Sequence, residues 1–100
     1  LASKKEPEMA DFYTRVELHG GFLEEYELLD EEMKLRGFSR TVVGGDGKTY
    51  YLPSGMYHVS GDLKTSAVLD FAQAAALATG KPSAIMTIES AHWMGRLDRY

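Results

Sequence analysis

The order in which hydrophobic periods follow one another constrains this chain more than any other feature. Phe12, Thr14, Val16 and Leu18 alternate with Tyr13, Arg15, Glu17 and His19, the period of two expected of a half-buried strand. From Phe22 to Arg36 the apolar positions Phe22, Tyr26, Leu29 and Met33 instead recur every three or four residues, one helical stripe that Gly37 stops. Two β-branched and aromatic runs, Phe38–Val43 and Lys48–Leu52, then flank Gly44-Gly45-Asp46-Gly47, residues that tolerate positive φ, and the spacing predicts a hairpin. Pro53 lacks an amide proton, so Pro53-Ser54-Gly55 predicts a bulge before the strand resumes at Met56–Ser60, making the third strand long and bent. A second helix, capped by Asp62 or Thr65, carries Val68, Phe71, Ala72, Ala75 and Ala78 as its buried stripe and ends at Gly80-Lys81-Pro82. Ala84, Met86 and Ile88 alternate with Ile85, Thr87 and Glu89 in a last strand, after which Ala91–Tyr100 either covers a sheet edge or frays.

That order, βαββαβ in 100 residues, predicts an α+β, ferredoxin-like domain with a four-stranded antiparallel sheet and both helices on one face. The length suits one core, so residues 10–100 are expected to form a single domain, with residues 1–9 a charged extension or tag remnant. Cysteine is absent, which removes disulfides, thiolate catalysis and cysteine-based metal sites. No apolar run approaches the ~20 residues of a membrane span. The expectation is a cytoplasmic protein without a membrane partner.

The charge of −4 argues against a surface-wide binder of DNA or RNA, whose affinity rests on many Lys and Arg contacts to phosphate. The acidity is concentrated, however: Glu24, Glu25, Glu27, Asp30, Glu31 and Glu32 all lie on the first helix, and the remainder is slightly basic. Those carboxylates read as a solubilising surface, and any nucleic acid would bind away from them. Gly44-Gly45-Asp46-Gly47 precedes a strand, not the helix start that a phosphate loop requires. The three histidines show no metal-ligand spacing, so neither a metal nor another cofactor is expected. The helix-free sheet face is the more promising surface. Tyr13, Arg15, Glu17 and His19 share it by parity, with Met56, His58 and Ser60 joining them and Thr41 and Thr87 nearby, whereas Arg40 shares parity with Phe38, at a strand edge, and Tyr57 is core. Aromatic, cationic and imidazole groups on one face can stack bases, hold phosphate and move a proton.

Phe12 to Leu18, Gly37-Phe38-Ser39, Asp46-Gly47, Tyr51-Leu52-Pro53 and Tyr57 together resemble the GhoS family of endoribonuclease antitoxins from type V toxin–antitoxin systems, over most of residues 10–90. The resemblance implies a ferredoxin-like domain, similar to the small CRISPR-associated nuclease subunit, that cleaves the messenger RNA of a membrane-active toxin. If RNA is cleaved, a base must activate the ribose 2′-OH and a cation must stabilise the pentacoordinate phosphate. His58 or His19 is the candidate base, Arg15 or Arg40 the candidate cation, and Tyr13 and Arg15 the candidate RNA contacts. The competing expectation is a non-catalytic module that forms a homodimer or docks a protein partner through its open sheet face.

Overall fold

A computed structural model describes residues 9–100, so the expected extension at 1–9 lies, Met9 apart, outside the described residues. Strand β1 (Ala10–Leu18) leads to helix α1 (Leu23–Leu35), then to the short strands β2 (Thr41–Val43) and β3 (Thr49–Tyr51), β4 (Met56–Gly61), helix α2 (Thr65–Leu77) and β5 (Ser83–Ser90). The protein is thus a small α+β fold with two helices and antiparallel pairing throughout its ladders. Among the described residues no helix is long and apolar enough to cross a membrane.

The strands form a three-stranded sheet, ordered β4-β1-β5, and a two-stranded sheet, β2-β3. The single four-stranded sheet expected from the sequence is not formed, and neither is its long third strand. Lys48–Leu52 and Met56–Ser60 are not one bent strand: β3 pairs with β2 alone, while β4 pairs with β1 in a separate sheet. Pro53 and Gly55 separate them, because the first has no N–H and the second adopts φ +76°, a left-handed conformation that ends the extended run. A β-carbon at Gly55 would also lie 2.8 Å from the Val16 carbonyl oxygen, so the chain passes close to β1 where only glycine fits. The expected second strand shortens for a related reason. Ser39 exchanges two backbone hydrogen bonds with His58, at 2.7 and 2.8 Å, but that is the only pair joining this segment to β4. Arg40 then turns away, its carbonyl accepting from the Leu52 N–H and its guanidinium donating to the Leu52 carbonyl.

Both helices cover the sheet face formed by Phe12, Val16, Leu18 and Tyr57, and Leu29 and Met33 of α1 meet Val68, Ala72, Ala75 and Ala76 of α2 there. The alanines let α2 approach closely. Phe22 and Phe71 leave the stripes expected of them and are exposed, as is Ala78. Phe22 is the residue before α1, where its N–H donates to Glu25 Oε1 at 2.7 Å, so its side chain is outside the helical face. The residue preceding α2 is Lys64, without a side-chain cap; Asp62 lies outside the helix and Thr65 is its first residue. Thr14 is fully buried and its hydroxyl bonds that of Thr87 at 2.8 Å, which puts Thr87 on the helix-covered face and not the bare one.

A second, smaller core lies on the other side of the sheet. Tyr13, Val42 and Leu52 are its buried members, with Tyr50, Met56 and Leu97 packed against them. The segment after β5 therefore covers and does not fray: Tyr51 N–H donates to the Asp98 carbonyl and Tyr100 N–H to that of Thr49, closing the outer edge of β3.

Candidate functional site

The face of the sheet opposite the helices is built by residue parity along three strands. Asp11, Tyr13, Arg15 and Glu17 of β1 stand opposite Ser60, His58 and Met56 of β4, and opposite Ser90, Ile88, Met86 and Ala84 of β5. Cross-strand neighbours of this kind are close enough to touch. Two of them do: the Tyr13 and His58 rings lie 5.0 Å apart, tilted by 43°.

The chemistry concentrates around His58. Its Nε2 is 2.8 Å from Asp11 Oδ1, an imidazole–carboxylate pair between β4 and β1. Among the described residues Nδ1 has no hydrogen-bond partner. An imidazole held this way has a fixed ring orientation, and when Nε2 carries the proton toward the carboxylate, Nδ1 is left as the acceptor. Tyr13 packs on one side of this pair, and the Trp93 ring meets Tyr13 edge-on at 6.4 Å. Tyr13 is consequently only 8% exposed, so the candidate RNA contact is largely covered by the segment after β5. Burial raises the Tyr13 hydroxyl pKa, the Asp11 charge adds to the rise, and a hydrogen bond with Trp93 opposes it. The tyrosine stays a neutral donor through the physiological range.

Two connected grooves open beside the pair. One, of about 370 Å³, is lined by Asp11, Tyr13, His58 and Trp93 on one side and Thr41 and Thr49 on the other. The second, of about 1010 Å³, runs from Asp11 and Trp93 between the Gly44–Gly47 turn and the strand-following segment, where Arg96 and His92 line it. Asp46 fixes that turn by accepting from the Lys48 N–H at 3.0 Å and the Tyr50 hydroxyl at 2.5 Å, and these bonds hold its carboxyl below the usual range.

The other candidates from sequence separate. Arg15 stands on the same face as His58, diagonal to it across β1 and β4, a Cα separation of about 7–8 Å for such a pair. His19 lies beyond the end of β1, six residues from the Tyr13–His58 row, roughly 20 Å along the strand, and the sheet does not gather the two histidines. Arg40 is on the opposite side. Its guanidinium sits 5.7 Å from the Tyr57 ring centroid and 3.7 Å from Asp30 on α1, and Asp30 also accepts a short hydrogen bond from the Tyr57 hydroxyl. Arg40 and the dyad thus face different layers, with the sheet between them. Burial, reinforced by the Asp30 carboxylate, pushes the Tyr57 hydroxyl pKa strongly up, and the Tyr57–Asp30 bond makes this cluster a structural clamp between α1 and β4.

Sequence reasoning missed Asp11 and Trp93. Asp11 carried a usable signal, since it shares parity with Tyr13 at the start of β1, but its meeting with His58 depends on a strand register that no local pattern specifies. Trp93 comes from the segment after β5, whose path is set by pairing with β3. Among the described residues no group of three or more His, Asp or Glu side chains is placed to hold a metal ion. No protein-family model matches the chain, nor does any curated protein.

Proposed function

We propose that this chain is a ferredoxin-like endoribonuclease of the antitoxin type, acting on a toxin messenger RNA with Asp11 and His58 at its centre. The observation that carries the reading is the 2.8 Å Asp11–His58 pair at a groove walled by Tyr13 and Trp93. The order β5-β1-β4 with both helices on one face supports the ferredoxin-like part of the reading, and the single Ser39–His58 bridge is where a fourth strand would join.

In this mechanism His58 accepts the proton of a ribose 2′-OH, Asp11 stabilises the imidazolium that results, and the 2′-oxygen bonds to the adjacent phosphorus. The bond to the 5′-oxygen breaks, leaving a 2′,3′-cyclic phosphate and a 5′-hydroxyl whose proton comes from solvent. Arg15 balances charge on the phosphate, and Arg96 draws the backbone along the second groove. Trp93 stacks a base at its exposed side. His19 and Arg40 have no part in the step, one for distance and the other for its place behind the sheet.

The test is incubation of the purified protein with candidate toxin transcripts, followed by end-group analysis. Discrete cuts bearing 2′,3′-cyclic phosphate are expected, lost in His58→Ala, reduced about 10²- to 10⁴-fold in Asp11→Asn as for a general base that loses its orienting group, and retained in His19→Ala. Cleavage that survives His58→Ala, or intact RNA across a broad panel, refutes the proposal.

A further inference from the structure

Strand β5 is an edge that nothing in the described fold closes. Its inner side pairs with β1 over eight consecutive positions without a bulge, from Ser83 opposite Leu18 to Ser90 opposite Asp11. The hydrogen-bonding phase of that ladder follows from one bond at its end. His19 N–H donates to the Pro82 carbonyl at 2.7 Å, and bonded pairs alternate along an antiparallel ladder. Ala84, Met86, Ile88 and Ser90 therefore direct their backbone groups to β1, while Ser83, Ile85, Thr87 and Glu89 direct theirs outward. The Val16 N–H bond to the Gly55 carbonyl on the far side of β1 has the matching phase. Four N–H and four C=O groups are thus set in a row for a further strand.

Edges of soluble proteins are ordinarily guarded by a lysine, a proline, a bulge or a covering loop. From Ser83 to Ile88 this strand has none of them, its residues being Ser, Ala, Ile, Met, Thr and Ile. On the helix-free face Met86 is 69% exposed and Ile88 52%, side by side. The edge of β3, by contrast, is closed by Asp98–Tyr100.

We infer that β5 pairs antiparallel with β5 of a second copy of this chain, with Met86 on the two-fold axis, joining two three-stranded sheets into one of six. The occupant is another copy because the strand is complementary to itself in that register. Pairing about Met86 matches Ile85 with the partner's Thr87 and Ser83 with the partner's Glu89, so every outward N–H and C=O finds its counterpart. Met86 then faces the partner's Met86, and Ile88 faces the small Ala84, a large-to-small fit on the exposed apolar row. No charge opposes a like charge at any of these positions. The inference is independent of RNA cleavage, since the Asp11–His58 pair lies on the strands away from this edge.

The chain has no cysteine, which gives a direct test. In a non-hydrogen-bonded antiparallel pair the Cα atoms approach to about 4.5 Å, within disulfide range. Met86→Cys should therefore form an intermolecular disulfide rapidly and to completion under mild oxidation. Glu17→Cys, on the same face but on β1 opposite Ala84, sits three strand spacings across and four residues along from its counterpart, about 20 Å in all, and should not. Light scattering across a concentration series should show the wild-type protein as a dimer and Met86→Lys as a monomer, with circular dichroism verifying that the variant is folded. A monomeric wild type at every concentration, a dimer that persists in Met86→Lys, or Met86→Cys linking no faster than Glu17→Cys would overturn the proposal.

Discussion

The clamp between Tyr57 and Asp30 supports the most quantitative prediction, because it decides whether β4 holds His58 in place. Tyr57 precedes His58 and points to the helix side, where it is almost fully buried and its hydroxyl donates to Asp30 on α1. Replacing it with Phe keeps the ring, and with it the core contacts to Phe12, Leu29 and Met33, so the perturbation is confined to one hydrogen bond. Bonds to a charged acceptor contribute about 1.5–3 kcal/mol, but Asp30 is partly exposed and rehydrates when released, so about 1–1.5 kcal/mol is the expected loss. For a domain of this size each kcal/mol moves the midpoint by about 4–8 °C, giving a fall in Tm of roughly 4–12 °C. Asp30→Ala should cost more, about 2 kcal/mol, since it leaves a buried hydroxyl unpaired and deprives Arg40, whose Nε already lacks a partner, of its nearest carboxylate. The two changes share one bond, so the double variant should fall short of their sum by about 1 kcal/mol. Urea titrations of the four proteins measure this. Additivity within about 0.3 kcal/mol would show that the bond does not contribute, and the reasoning would fail.

The same tyrosine predicts a pH dependence. Its folded pKa is raised above the ordinary value near 10, so the unfolded chain loses that proton first as the solution becomes alkaline. The stabilisation is complete below pH 10 and is lost as pH rises above it, and urea midpoints of Tyr57→Phe should fall less steeply over that range. Gly55→Ala should cost about 2 kcal/mol or more, combining left-handed strain with the approach to the Val16 carbonyl, and thermal melts will show it unless β4 shifts away from β1. Asp11→Asn should change stability by less than about 1 kcal/mol, because the pair with His58 is partly solvated, so its effect on RNA cleavage separates from folding.

Much of the fold was legible because each helix and strand needs only its own period. The β1 alternation, the Leu29–Met33 stripe and the Ala72–Ala75 contact are local patterns that packing preserved. The hairpin around Gly44–Gly47 was legible for the same reason, since turn chemistry is set by a few adjacent residues. What failed was non-local. Nothing near Lys48–Leu52 distinguishes a strand that continues through Pro53 from one that pairs elsewhere, and the choice was made by Ser39, Arg40 and the close passage of Gly55 over β1. The site followed the same division. Arg15, Tyr13 and His58 could be placed on one face by parity alone, whereas excluding His19 required the register of β1 against β4.

By itself, then, the sequence determined the two helices, the first and last strands, the central hairpin and the acidic outer surface of α1, because periodicity, turn chemistry and composition act within one segment. Only the tertiary structure decided that Asp11 meets His58, that Trp93 covers Tyr13, that Arg40 lies behind the sheet and that β5 keeps an open edge. Those outcomes depend on which backbone hydrogen bonds form between segments tens of residues apart, and such pairings are settled by the packing of the whole chain.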